Sequence, residues 1–335
     1  MNDLSQKLLD ILSKCRRVLI TTHVRPDGDA LGTAAAMSLG LRSKKIDSDI
    51  LLLSKLPPKY AFVLSENAIK FHDVEAGWPD SLSLDSYDAL LVVDTGTWSQ
   101  LPGLRDRLTS FQKPRLVLDH HLTQESWADV KLVDTKAAAA GEIAANLLTD
   151  WNVPLDKPLA TALFLAIASD TGWFQFSNTR PATLRLAATL MEVGVDTDNL
   201  YQHLYQNERA ERIALQTRAQ ESLELLHDGR LAIMCVKKTD FEKTGARLSD
   251  TENLINIPLQ IRTVEVSILM VDPPDDSIVR VSLRSKGQVD VAHFAEQFGG
   301  GGHARASGLK IPGPLKQARE KITSVMLKTL GTFPA

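Results

Sequence analysis

Six side chains of this 335-residue sequence have the types and placement of a divalent-cation centre: His23, Asp27, Asp29, Asp94, His120 and Asp170. Each stands where an apolar run gives way to a polar loop. RVLIT leads into Thr22-His23-Val24-Arg25-Pro26-Asp27-Gly28-Asp29, and ALLVV into Asp94-Thr95-Gly96. RLVL leads into Asp119-His120-His121, and a run ending Ile167-Ala168 into Ser169-Asp170-Thr171-Gly172. Singly, Asp-Gly-Asp is a turn sequence and Asp-Thr-Gly a strand-end Asx turn. Four such coincidences point to one site. Imidazole and carboxylate without thiolate select a hard-to-borderline divalent ion, and imidazole disfavours a pure magnesium site. Manganese (Mn2+) is the first expectation, with iron, cobalt or zinc as substitutes. Six ligands are too many for one ion with an open position. Two divalent cations sharing one carboxylate, about 3.5–4 Å apart, is the economical arrangement.

The elements that must position these groups are legible from periodicity. Residues 2–14 place Leu at helical spacing. Strands are expected at 17–23, 47–53, 87–94 and 114–119, which are continuous apolar runs of the kind buried on both faces. An Ala- and Leu-rich helix follows the first strand, and further helices are expected at 141–151, 156–168 and 181–193. Apolar strands alternating with helices predict an α/β fold with a doubly wound, mostly parallel sheet over residues 1–193. Ligands in such sheets bind beyond the carboxyl ends of the strands. Residues 194–227 are polar and read as a helical connector. Strands at 230–236, 263–271 and 277–285, and helices near 290–298 and 314–330, make residues 228–335 a second, smaller α/β domain across a cleft.

Composition excludes several classes. With 38 Lys plus Arg against 41 Asp plus Glu, the net charge is −3, which gives little electrostatic support to a grip on long duplex nucleic acid. The excess acid lies in the first 227 residues, and residues 228–335 are net basic. Cys15 and Cys235 are too few for a disulfide framework or a Cys-rich zinc site. They read as partly buried thiols. The first residues lack a basic stretch followed by an apolar one, and the run Leu159–Ala168 is about half a membrane span. A cytoplasmic protein with no membrane partner is expected.

In the second domain, the run Gly299-Gly300-Gly301-Gly302 lets backbone approach a ligand closely, with N–H groups free to meet an anion. His303 and Arg305 follow at once. Arg284-Ser285, at the end of a predicted strand, puts a guanidinium where it can fork onto a phosphate. Trp173 and Phe174, after Asp170, are placed either to stack a base or to pack the core.

The order His-x-x-x-Asp-x-Asp, Asp, Asp-His-His, Asp-Thr-Gly resembles the DHH phosphoesterase superfamily. The segment Gly299-Gly300-Gly301-Gly302-His303-Ala304-Arg305-Ala306-Ser307-Gly308 looks like the glycine-rich motif of the DHH-associated C-terminal domain. Together these cover nearly the whole chain, and the compact two-domain length is similar to the NrnA-like group of oligoribonucleases and 3′-phosphoadenosine 5′-phosphate (pAp) phosphatases. Arg25 stands where many members have Asn, and Ser169 where many have Thr. The resemblance implies that His23, Asp27 and Asp94 hold one ion, and that Asp29, Asp94, His120 and Asp170 hold the other. It further implies that His121 faces the substrate phosphate, that Asp119 orients the histidines, and that Arg284, Ser285, Gly300 to Gly302, His303 and Arg305 grip the end of a short oligonucleotide. The implied activity is hydrolysis of nanoRNA and dinucleotides to mononucleotides, and of pAp to AMP and phosphate. A cyclic-dinucleotide (c-di-AMP) phosphodiesterase is the alternative. A RecJ-like exonuclease, a pyrophosphatase or a non-catalytic nucleotide-binding module fits less well. Such folds commonly pair as homodimers.

Overall fold

The computed structural model describes residues 3–74, 77–79, 82–275 and 277–331. Asn2, the expected first residue of the N-terminal helix, lies outside them. The chain divides into two units, residues 1–207 and 208–335.

Among the described residues the first unit has six strands: β1 Arg17–Thr21, β2 Asp47–Leu52, β3 Phe71–Asp73, β4 Ala89–Val93, β5 Arg115–Asp119 and β6 Val130–Val133. They lie in the order β3-β2-β1-β4-β5-β6 and every neighbouring pair is parallel. Its helices are α1 Asp3–Leu12, α2 Gly28–Ser43, α3 Ala61–Ser65, α4 Leu104–Arg107, α5 Ala140–Asp150, α6 Lys157–Asp170, α7 Pro181–Glu192 and α8 Thr197–Tyr205. Strand side chains alternate between two apolar clusters. Val18 and Ile20 of β1 enter one with α1, α2, α5 and α6, and Leu19 enters the other with Leu51, Leu90, Val92 and Val117. Burial on both faces is why these strands read as unbroken apolar runs. The strand order reverses at β1, so the crevice beyond the ends of β1 and β4 is the natural binding position.

The short strands β3 and β6 escape the sequence reading. β3 is Phe-His-Asp and β6 is Val-Lys-Leu-Val. Each is too short for a periodic signal and is held by its parallel neighbour.

Helix α2 is buried from Gly28 to Leu41, which requires neighbours to approach closely on several sides. Small residues make this possible. A Cβ at Gly32 would lie 2.5 Å from the carbonyl oxygen of Ala162 in α6 and 2.8 Å from the Ala166 nitrogen. At Gly141 of α5 a Cβ would collide with the Ala166 side chain. Thus α2, α5 and α6 pack backbone to backbone, with the start of α2, the start of α5 and the end of α6 gathered at the carboxyl edge of the sheet.

The second unit contains α9 Ala210–Glu221, β7 Glu224–Leu226, β8 Leu231–Val236, α10 Lys238–Thr244, β9 Val266–Val271, β10 Ile278–Ser285, α11 Val291–Glu296, β11 Gly301–His303, β12 Ala306–Pro312 and α12 Leu315–Leu330. Its sheet runs β11-β12-β10-β9-β8-β7, with β8 and β9 parallel and the other pairs antiparallel. One face packs on α12 through Ile322 and Met326, the other on α9 through Leu215 and Ala219. The expected connector at 194–227 is mostly helical but divides between the units. Leu200 and Leu204 of α8 belong to the first core, whereas α9 belongs to the second and is followed by β7. Among the described residues, no helix is long and apolar enough to cross a membrane.

The α2–α6 contact generates a first prediction. Gly32→Ala forces two helix backbones apart, an overpacking that costs about 1–3 kcal/mol. Urea unfolding should show a lower midpoint with an unchanged slope, and a midpoint equal to wild type would contradict the packing described.

Candidate metal centre

Four turns deliver the site. After β1, the Val24 N–H donates to the Gln100 carbonyl at 2.9 Å, pinning the loop. Asp27 then caps α2, its Oδ1 accepting from the N–H groups of Asp29 at 3.0 Å and Ala30 at 3.1 Å. β4 ends at Asp94, whose φ of +60° is one that Asp tolerates better than most residues. Its N–H still donates to the Leu118 carbonyl of β5 at 2.9 Å. β5 ends in Asp119-His120-His121, and α6 ends at Asp170.

The six predicted ligands converge. His23 Nε2 lies 3.4 Å from Asp94 Oδ2 and 3.8 Å from Asp27 Oδ1. His120 Nε2 lies 3.5 Å from Asp94 Oδ1, 3.7 Å from Asp29 Oδ2 and 3.7 Å from Asp170 Oδ2. These separations are too long for hydrogen bonds. They suit donors around a cation, since ligand atoms about 2.1 Å from an ion sit about 3.0–3.5 Å from one another. Both rings are set by their other nitrogen: His23 Nδ1 faces the Val24 carbonyl at 3.1 Å, and His120 Nδ1 faces the Ala137 carbonyl at 3.3 Å. With the proton on Nδ1, the Nε2 lone pair is free for a metal. Asp94 Oδ1 is the clearest sign of fit. It is buried with no hydrogen-bond partner, between imidazoles, where a cation would satisfy it. The donor set therefore fits divalent cations in three overlapping groups: His23, Asp27 and Asp94; Asp94, His120 and His121; and Asp29, His120 and Asp170.

Asp119 is fully buried and positions only one histidine. Its Oδ1 accepts from His121 Nδ1 at 2.8 Å and from the N–H groups of His120 and His121 at 2.8 and 3.2 Å. The expectation that it orients both rings is corrected, because the His120 ring is held by Ala137. Two residues not anticipated from sequence complete the arrangement. Gln124 donates to Asp119 Oδ2 at 2.5 Å and fills the space a Cβ at Gly96 would need, which explains the glycine after Asp94-Thr95. Asn178 Nδ2 donates to the Ala138 carbonyl at 3.0 Å and to Asp170 through its carbonyl at 3.1 Å and Oδ2 at 3.4 Å. Neither lies in a motif, and each acts only through folding, so no spacing signal announces it.

Electrostatics follow from burial. Asp29, 1% exposed, has a carboxyl raised well above its ordinary range by burial and then by Asp94. Burial likewise raises Asp170. Burial opposes the charge on His23, yet the neighbouring carboxylates of Asp27 and Asp94 outweigh it and push the imidazole up to about 10. For His120 burial is overcome by Asp94, Asp29 and Asp170, giving about 9. Asp119 raises His121 against its burial. Without cations, protons do the work of charge compensation.

The second unit brings its own residues together. Arg284 of β10 pairs with Ala306 of β12, and Ala306 with His303 of β11, so Arg284 and His303 share one row across three strands. Arg305 stands in the two-residue turn between β11 and β12. Its carbonyl accepts from the Ser285 N–H at 3.1 Å. Arg284 Nη1 donates to the Leu283 carbonyl at 3.0 Å. Ser285 is buried, and its Oγ accepts from the Gly287 N–H at 3.2 Å. The glycine run differs from expectation. Gly299 and Gly300 donate their N–H groups to the Glu296 and Ala295 carbonyls at 3.0 and 2.9 Å, so those donors are not free for an anion. Gly302 has φ +146° and sits where a Cβ would meet the Ala306 carbonyl oxygen at 2.6 Å. The glycines first serve the close β11–β12 hairpin. Trp173 and Phe174 resolve toward packing: both lie edge-on to Phe164, at 6.0 and 5.7 Å between centroids, and Trp173 also meets Tyr201 and Tyr205. Cys15 and Cys235 are buried free thiols. Burial and then Asp88 push Cys15 up to about 11, which leaves it unreactive.

Comparison with known proteins agrees with this picture. Residues 17–167 match the DHH family, N-terminal domain, and residues 229–331 match the DHHA1 domain. The chain is similar to the bifunctional oligoribonuclease and PAP phosphatase NrnA of Bacillus subtilis, 26% identical over 91% of this chain and 92% of that protein. It is 28% identical to the protein of the same description from Thermus thermophilus, over 93% and 90%. A solved structure of an exopolyphosphatase-related protein from Bacteroides fragilis shares the fold, with a TM-score of 0.83, 20% identity and coverage of 98% and 96%.

Two predictions arise from the geometry. Metal uptake requires His23 and His120 to lose protons. Their raised values mean that both are protonated at neutral pH in the ion-free protein. Affinity for a divalent cation should therefore rise with pH through about 9 to 10 and level off above it. Calorimetry in buffers of different ionisation enthalpy should detect proton release near neutrality. Binding without proton release, at constant affinity, would contradict the charge balance described. Second, Asn178→Ala removes the amide that holds Asp170, and should weaken metal binding by about 10–100-fold while the unfolding midpoint of the ion-free protein changes little.

Proposed function

We propose that this chain, which carries a DHH-family N-terminal domain and a DHHA1 domain, is a metal-dependent phosphoesterase that hydrolyses short oligoribonucleotides to mononucleotides and pAp to AMP and phosphate. The observation that carries the reading is the position of Asp94, whose two carboxylate oxygens face His23 on one side and His120 on the other. One carboxylate thereby serves two cation positions. The substrate class is supported by the two relatives named as oligoribonuclease and PAP phosphatase, each matched over about nine tenths of both chains.

His23, Asp27 and Asp94 would hold one ion, and Asp29, Asp94, His120 and Asp170 would hold the other. Manganese suits this mixture of imidazole and carboxylate. When bound, the cations acidify water and offset charge on phosphoryl oxygens. The remaining work belongs to side chains. His121 is half exposed, with its Nδ1 bound to Asp119, so Nε2 is the nitrogen available to substrate. Asp119 favours the protonated ring, which makes His121 a donor to a phosphoryl oxygen or to the leaving oxygen. In the second unit, Arg284, His303 and Arg305 offer cationic and donor groups to a phosphate, with Ser285 and Gly300 to Gly302 shaping the hairpin that carries them.

The test is turnover in manganese of a panel: di- and pentaribonucleotides, pAp, c-di-AMP and pyrophosphate. The linear ribonucleotides and pAp should be hydrolysed fastest. Preference for c-di-AMP would establish the cyclic-dinucleotide reading instead. Asp94→Ala should abolish both metal binding and hydrolysis, with the fold retained by circular dichroism. His121→Asn should keep the metal and lower kcat by about 10²–10⁴-fold. Unchanged turnover in Asp94→Ala would overturn the two-cation mechanism.

A further inference from the structure

Arg25 is the residue of the first loop that the metal centre does not use. It lies two positions from His23 and two from Asp27, is exposed, and has φ +57°. Two constraints oppose that conformation. A side chain with a Cβ finds the left-handed region costly, and the residue before a proline is pushed toward extended backbone, yet Pro26 follows directly. The conformation is enforced from outside. The Arg25 N–H donates to Ser54 Oγ at 2.7 Å, and the preceding Val24 N–H is tied to Gln100. Strain of this kind, held by surrounding structure, concentrates at functional sites.

The side chain is also unspent. Among the described residues, the Arg25 guanidinium makes no ion pair and no hydrogen bond, although Asp27 is two residues away and Asp94 and Asp170 lie within the same cluster. An exposed guanidinium in the loop between two ligand candidates, paired with none of the described carboxylates, remains available to an anion. A planar fork of N–H donors matches the non-bridging oxygens of a phosphate.

We infer that Arg25 is a substrate-binding residue of this centre: its guanidinium grips the phosphate of a nucleotide at the edge of the cation cluster, and the strained turn at residues 24–26 exists to hold it there. The assignment rests on the phosphoesterase reading above but makes a separate claim, that the turn serves the substrate and not only the placement of His23 and Asp27.

The experiment compares wild type with Arg25→Asn and Arg25→Lys, all loaded with manganese. Asn is chosen because it tolerates positive φ best among residues with a polar side chain, so the turn survives while the cation is removed. Titration with AMP and with inorganic phosphate, followed by calorimetry, reads binding independently of turnover. Metal content and unfolding midpoint are measured alongside. Arg25→Asn should keep its manganese and an equal or higher midpoint, weaken AMP binding at least tenfold, and raise KM for a diribonucleotide more than it lowers kcat. Arg25→Lys should fall between, because charge remains and the fork is lost. AMP affinity within twofold of wild type in Arg25→Asn, or loss of manganese accounting for the whole effect, would overturn the assignment. Hydrolysis of the ribonucleotide panel without dependence on Arg25 leaves the phosphoesterase reading standing and this one refuted. Arg25-dependent AMP binding without hydrolysis of any phosphoester does the reverse.

Discussion

The structure is organised around the mutual repulsion of five carboxylates, Asp27, Asp29, Asp94, Asp119 and Asp170, four of which ring two imidazoles at the carboxyl edge of β1, β4 and β5. Asp29, Asp94 and Asp119 are buried, so repulsion among them is screened less than it would be on a surface. The fold meets it unevenly. Asp27 caps the start of α2. Asp29 accepts from the Ala140 and Gly141 N–H groups at the start of α5, at 2.6 and 3.0 Å, and from Thr33 Oγ1 at 2.9 Å. Asp119 takes two backbone N–H groups, an imidazole and an amide. Helix starts favour negative charge, which serves Asp27 and Asp29, so with Asp119 three of the five have their charge partly met by the backbone. Asp94 Oδ1 has nothing of the kind. The carboxylate placed to serve both cation positions is the one that the protein leaves unsatisfied.

That division depends on close packing remote from the chemistry. Asp29 can reach the start of α5 only because α2 and α5 both approach α6 closely, and Gly32 and Gly141 are the residues that permit it. Asp170 ends α6, so the same contact that buries α2 also sets the distance from Asp170 to His120. Helix packing and ligand geometry are thus one problem here, which is why a methyl group at Gly32 matters to the site as well as to the core.

Much of this was legible in the sequence because burial and function leave different marks. β1, β4 and β5 are covered on both faces, so their runs are apolar without interruption, and a polar residue at the end of each stands out. The positions of His23, Asp94, Asp119 and His120 follow from that contrast alone. What was not legible depends on long-range contacts. β11 and β12 form around glycines whose lack of side chains reads as looseness in a sequence and turns out to be tightness in a hairpin. Gln124 and Asn178 hold Asp119 and Asp170 through single amides, and an isolated Gln or Asn carries no periodicity. Trp173 and Phe174 stand beside a ligand loop, yet their rings are taken up by Phe164 and α8, a choice only the packing decides.

The charge balance narrows what such a site handles. A net charge of −3 withholds the general attraction on which binding of long strands depends, because that attraction scales with the number of phosphates neutralised. The cations at hand are few and local: Arg25 in the first unit, and Arg284, His303 when protonated, and Arg305 in the second. On the proposed function each would address one phosphate. Bound divalent cations offset the carboxylates of the centre, so repulsion of an approaching phosphate is relieved at the place of reaction and not along a groove. Affinity then rests on a small number of well-directed contacts, which a dinucleotide or a bisphosphorylated nucleotide fills as completely as a long strand does. On the proposed function, the same feature that gives little support to long duplexes makes short, phosphate-rich ends the substrates on which a few local cations suffice.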